Sequence, residues 1–168
     1  MALFLSPEPR RQYIFGDLIG RKLSLDPFFY WACDELGCIP PGFKNDGTTI
    51  WDWLQSIIPK NKSRIAGDIH DWEYFAGKPR KLADKKWRDA AQSGNPSLNS
   101  FQAWAGYTYL RHFALKFYNR HLRGELTQGM DRSELIELSN ALLQNSPYYG
   151  LPYDQVKSLQ IERARRKD

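Results

Sequence analysis

Ser63-Arg64-Ile65-Ala66-Gly67-Asp68-Ile69-His70-Asp71-Trp72-Glu73-Tyr74-Phe75-Ala76-Gly77-Lys78-Pro79-Arg80-Lys81-Leu82-Ala83-Asp84 is the stretch that decides the fold. Ser63 reads as an N-cap for a helix to about Ala76, Gly77-Lys78-Pro79 as its stop and turn, and Arg80 to Gln92 as a second helix. So short a link makes the two helices antiparallel neighbours. On the first, Ile65, Ile69, Trp72 and Ala76 recur at helical spacing and face the core, while Gly67, His70, Asp71 and Tyr74 form an adjacent strip. On the second, Ala83, Trp87, Ala90 and Ala91 mark the inner face. Asp84 lies beside Ala83, so its carboxylate is directed inward, where it needs a partner. His70 lies about two turns before the link and Asp84 about one turn after it, a geometry in which the two side chains can meet.

Outward from this pair, the chain divides by composition. The first forty residues are rich in Pro, Gly and β-favouring aromatics, which places short strands at Gln12 to Phe15 and Phe28 to Cys33, with Cys38 to Pro40 returning. Asp34-Glu35-Leu36-Gly37 reads as a four-residue hairpin loop that sets Cys33 across from Cys38. A single pair is no disulfide scaffold, and both are read as small apolar residues. Pro40 to Thr49 is a turn-forming loop dense in Gly, Asn and Asp, and Ile50 to Ile58 a short helix stopped by Pro59. Beyond Gly94-Asn95-Pro96, Asn99 or Ser100 caps a long helix to about Leu122, with Phe101, Trp104, Ala105, Thr108 and Leu115 on recurring faces, read as the central core helix. Asp131 with Glu134 starts a helix to about Gln144, and an amphipathic helix through Val156, Leu159 and Ile161 runs into the basic tail Arg163 to Lys167.

The fold expected is therefore mainly α, an α+β chain with a small N-terminal antiparallel β region and a helical core built on the pair that carries His70 and Asp84. Its 168 residues, 42% of them hydrophobic, suffice for one core without staples. One globular domain is expected over 1–150, with strands in 10–40 and helices in 50–145, followed by a basic amphipathic helix over 151–168. Met1 to Leu5 shows neither a basic leader nor a signal-length apolar run, and Arg111, His112 and Lys116 interrupt the longest aromatic stretch, so neither export nor a membrane span is expected.

The net charge of +5 gathers at Lys60 to Arg64, at Lys78 to Arg88 and in the tail. Such stripes suit phosphates of nucleic acid or lipid, and equally serve as solvated helix faces. The chemistry centres on His70. An Asp that accepts from one imidazole nitrogen fixes the tautomer and leaves the other as a base able to activate water. Asp71, about 100° further round the helix, is placed to hold a cation instead. The alternative reading is a buried His-Asp-Tyr network that only fixes packing. His112 and His121 face opposite sides of one helix and do not share a metal site. A Gly-rich phosphate loop, a His-Glu-x-x-His pair, a Gly-x-Ser-x-Gly elbow and a Cys-x-x-Cys pair are all missing, which excludes many enzyme classes.

Ile39-Pro40-Pro41-Gly42-Phe43-Lys44-Asn45-Asp46, then His70-Asp71-Trp72-Glu73-Tyr74, then Leu82-Ala83-Asp84 resembles a phage and prophage family catalogued as domain of unknown function thirteen fifty-three. Thr48 or Thr49 stands for that family's hydroxylated residue and Trp87 for its aromatic, and the resemblance covers roughly residues 25 to 120. It implies viral or prophage origin, hence a host-cytoplasmic or virion location and virion proteins as partners. Ala66 to Tyr74 with Ala83-Asp84 also resembles compact phospholipase A2-like domains of the parvovirus type. That resemblance implies His70, Asp84 and Tyr74 as candidate catalytic residues, an ester of a membrane lipid as substrate, and Ca²⁺ held by Asp71 with the Gly42 to Gly47 loop. Asp46 is there either an oxygen ligand or an Asx-turn cap of Gly47-Thr48. The rival expectation is a non-catalytic virion or morphogenesis protein, with nucleic-acid binding a lesser third.

Overall fold

The computed structural model describes residues 1–8, 10–13, 22–45, 52–94, 96–123 and 130–166. Among them the chain is mainly α with α+β character. Six short strands lie in two antiparallel sheets: β1 (Leu3–Phe4), β4 (Phe28–Ala32) and β5 (Glu35–Ile39) in one, and β2 (Arg11–Tyr13), β3 (Lys22–Ser24) and β6 (Lys44–Asn45) in the other. Six helices follow: α1 (Lys60–Phe75), α2 (Arg80–Ser93), α3 (Ser100–Phe113), α4 (Leu115–Leu122), α5 (Arg132–Gln144) and α6 (Tyr153–Arg165).

The link between α1 and α2 forms as its residues dictate. Gly77 takes a left-handed φ of 73°. The amide of Gly77 then donates to the Tyr74 carbonyl at 3.1 Å and that of Lys78 to the Glu73 carbonyl at 3.0 Å, the paired bonds of a Schellman stop. Pro79 pre-sets the entry to α2. The start of α1 differs from expectation. The helix opens at Lys60 behind Pro59, an extended N-cap residue with φ −61° and ψ 126°. Ser63 lies inside the first turn, donating to the Pro59 carbonyl at 3.3 Å rather than capping.

Other expectations give way to local geometry. The hairpin between β4 and β5 turns on two residues, Cys33 and Asp34, both at positive φ (50° and 60°), the handedness that matches strand twist. Cys38 therefore pairs with Phe29, not with Cys33, and both thiols are free. Cys33 sits 3.2 Å from an Asp89 carboxylate oxygen instead. The β region also reaches further than the first forty residues, to β6. Ile14 and Phe15 of an expected strand, and Ile50 and Trp51 of an expected helix, lie outside the described residues; Asp52–Leu54 form a single 3-10 turn.

The helix expected to run unbroken from Ser100 to Leu122 breaks at Ala114, whose ψ is 0°. The guanidinium of Arg80 takes the carbonyls of Leu110 (2.6 Å) and Arg111 (2.5 Å), occupying an acceptor that the next turn would use. Nor is this the central core helix. Ala103, Gly106 and Tyr109 face inward, and Phe101, Trp104 and Leu115 face solvent. Gly106 is where α3 closes on α2, since a Cβ there would run into the Trp87 ring. The core belongs to α1 and α2, joined by Phe28, Ile39, Phe43 and Ile58 around Ile69, Trp72, Phe75 and Trp87. α6 packs through Val156 on Trp31 and Tyr148, and Arg163 donates to the Tyr148 hydroxyl at 2.8 Å. No described helix is long and apolar enough to cross a membrane.

Candidate functional site

The Schellman stop sets α1 and α2 side by side, and Asp84 arrives fully buried between them. Its carboxylate gathers hydrogen-bond donors from α1 and α3. His70 Nε2 lies 2.9 Å from Oδ1 and the Tyr74 hydroxyl donates to the same oxygen at 2.6 Å. Arg111, from α3, donates to Oδ2 at 2.8 Å. Arg80, one turn before Asp84, stands 3.9 Å from Oδ2 while its other end caps α3. Burial pushes the Asp84 carboxyl up, but the hydrogen bonds from His70 and Tyr74, with His70 and Arg111 beside it, outweigh burial and hold it below its ordinary value.

An ionised carboxylate only accepts, so the imidazole nitrogen facing it must carry the hydrogen. In the neutral imidazole this selects the Nε2–H tautomer, with the lone pair on Nδ1. Nδ1 lies 4.0 Å from Asp71 Oδ1, beyond direct hydrogen bonding. The Tyr74 ring packs 4.0 Å from the imidazole, and Tyr118 and His121 of α4 meet its other edges at 4.8 and 5.9 Å. Burial, then the Asp84 charge, raises the Tyr74 phenol far above its usual range, so it remains a donor. The structure thus brings together His70, Tyr74 and Asp84, as their spacing predicts.

The expected metal ligands fare differently. Gly42, at φ 91°, lies in a turn that donates to the Ser24 carbonyl and packs beside Leu135. Its neighbour Phe43 anchors the loop on Trp72 and Phe75. Asp46 lies outside the described residues. Calcium takes six to eight oxygens; among the described residues Asp71 is the carboxylate of the expected set, and no group of three or more His, Cys, Asp or Glu converges. The described residues do not by themselves make a calcium cage, and no chemical step is routed through one.

Two sets of residues escaped the sequence reading. Arg111 left no local signal, because it reaches Asp84 from a helix 27 positions on. Arg80 did leave one, its i,i+4 spacing to Asp84. The second set is a buried cluster beside the first: Lys86 donates to both oxygens of Glu73 at 3.0 Å and pairs with Glu35 at 2.7 Å, and the Tyr30 hydroxyl donates to Glu73. Tyr30 reaches there because its ring lies over Gly37, its cross-strand partner. This cluster borders a cavity of about 180 Å³ lined also by Trp72, Ser139 and Asn140. The Lys78 to Arg88 stretch is thus no uniform stripe. Arg80 and Lys86 are spent inside, Lys78, Lys81 and Lys85 are exposed, and Arg88 lies 5.1 Å over the Tyr107 ring.

Comparison with protein-family models, with curated proteins and with solved structures finds no match to this chain, so its resemblances rest on the residues themselves.

Proposed function

We propose that this chain is a small ester hydrolase of phage or prophage origin, with a phospholipase A2-like dyad in which His70 is the general base and Asp84 its positioning partner. The observation that carries the reading is the Asp84 carboxylate, 2.9 Å from His70 Nε2, which in the neutral imidazole puts the hydrogen on Nε2 and the lone pair on Nδ1. Nδ1 takes a proton from water as the water oxygen attacks the ester carbonyl, Asp84 stabilises the imidazolium that forms, and the imidazolium returns that proton to the alcohol oxygen as the ester C–O bond breaks. Tyr74 and Arg111 keep the carboxylate aimed. The test is hydrolysis of a nitrophenyl ester and of phosphatidylglycerol by the full chain, each with and without Ca²⁺. Activity lost in His70→Gln supports the proposal. Absence of hydrolysis in every arm, or an unaffected His70→Gln, overturns it.

One observation favours a second reading, a non-catalytic virion or morphogenesis protein. The Asp84 cluster ties α1, α2 and α3 together and Tyr74 adds α4, which is what a packing network does. Mass spectrometry of purified particles from the parent phage separates the two, since a virion component is present in stoichiometric amount.

A further inference from the structure

The cavity of about 180 Å³ beside the Glu73 cluster has a charged floor and apolar walls. The floor is Lys86, 1% exposed, held between Glu73 of α1, 2% exposed, and Glu35 at the start of β5. Leu36, Ile136, Leu143 and Trp72 supply the apolar wall, and the exposed residues Lys78 and Asn140 stand at the mouth. α5 closes the far side, where the Ser139 hydroxyl donates to the Cys38 carbonyl of β5 at 2.7 Å.

The two carboxylates on Lys86 are unlike. Glu73 accepts from the ammonium at 3.0 Å with both oxygens and takes the Tyr30 hydroxyl as well, so it cannot leave without stranding charge in the interior. The Glu35 side chain is 47% exposed and meets Lys86 at 2.7 Å from the hairpin end. It can turn out into water, because a half-exposed carboxylate keeps much of its hydration in either position. One hydrogen of a buried ammonium then needs an acceptor, and a carboxylate meets it with a charge-assisted bond stronger than that of water.

Charge and size say what that acceptor is. One carboxylate leaves Lys86 as another arrives, so the exchange conserves charge, and Lys78 adds a cation at the mouth. A cationic ligand would have to take Glu35 for itself and leave the Lys86 hydrogen unmet. A cavity of about 150 Å³ holds benzene, so this one takes a ring of that size with a short polar group.

We infer that this cavity is a binding site for a small apolar monocarboxylate of benzoate size. The ligand's carboxylate takes the place of Glu35 on Lys86, and its hydrocarbon lies among Leu36, Ile136 and Leu143. Glu35 is the gate, holding the ammonium while the site is empty. The site goes beyond the hydrolase reading and does not rest on it, since none of its residues belongs to the His70 cluster.

The test is isothermal titration calorimetry of the full chain with benzoate, with acetate, benzyl alcohol and benzylamine alongside. Acetate lacks the ring and benzyl alcohol the charge, so each should bind at least about tenfold more weakly than benzoate. Glu35→Gln removes the competing carboxylate and should tighten benzoate by up to about fivefold. Asn140→Trp fills the mouth and should abolish binding. Both positions are exposed, so circular dichroism should be unchanged. These results support the inference. No heat with millimolar benzoate, the mark of a cavity that holds water only, overturns it. So does benzylamine binding as tightly as benzoate, or benzoate binding that Glu35→Gln fails to tighten or Asn140→Trp leaves intact. His70→Gln should bind benzoate as the unaltered chain does; a loss there would place the ligand at the other cluster and overturn the inference too.

Discussion

The Asp84 cluster and the Glu73 cluster hang on the same two helices and differ in what they leave over. Around Glu73 the groups are matched: the two carboxylate oxygens accept from Lys86 and Tyr30, and the three ammonium hydrogens of Lys86 meet Glu73 and Glu35. Around Asp84 the carboxylate is matched equally well, but one of its donors is an imidazole with a second nitrogen outside the cluster. A closed ion pair is a fastening, whereas a fastened imidazole is a fastening with a base attached. That difference, rather than the presence of buried charge, is the reason to look for chemistry at His70 and not at Lys86.

The contrast can be broken by stability measurements. Lys86→Met keeps length and removes charge, stranding Glu73 in the interior, and urea unfolding should show a loss of about 3–5 kcal/mol. Asp84→Asn removes the charge and replaces one acceptor oxygen with an NH2 donor, so the amide can no longer satisfy both the Oδ1 and the Oδ2 donors, and should cost about 2–3 kcal/mol by the same measurement. Its pH signature is specific. Because the folded Asp84 carboxyl lies below its unfolded value, its contribution is complete above about pH 4 and is lost as pH falls through the lower folded value. Asp84→Asn should flatten that acid arm of the unfolding curve. Tyr74→Phe removes one of the donors and should cost about 1–1.5 kcal/mol, with the melt otherwise unchanged.

His70→Gln should have the smallest effect on stability, about 1 kcal/mol or less, since Asp84 keeps Tyr74 and Arg111. Its effect on ester hydrolysis should be large, about a hundred- to ten-thousandfold. A stability cost equal to that of Lys86→Met, with no effect on hydrolysis, would place both clusters in the same structural category.

The sequence by itself determined the α1–α2 hairpin and the meeting of His70, Tyr74 and Asp84. Both follow from local rules: Gly77 and Pro79 act within one turn of themselves, and helical spacing carries His70, Tyr74 and Asp84 onto facing strips. The start of α1 departs from the sequence pattern because a serine before a periodic run has the look of a cap, whereas Pro59 opens the helix and Ser63 falls within its first turn. Cys33 and Cys38 do not face each other because a two-residue turn, in place of a four-residue loop, shifts every partner in the ladder, and Cys38 falls opposite Phe29.

What only the tertiary structure decided came from contacts between distant positions. Arg111 reaches Asp84, and Arg80 breaks the α3–α4 helix, through side chains whose partners lie some thirty residues away. The same physics turned the stripe of Phe101, Trp104 and Leu115 outward. Periodicity finds an apolar face, but which face is buried depends on the neighbour's shape, and Trp87 fits only against the side of α3 that offers Gly106.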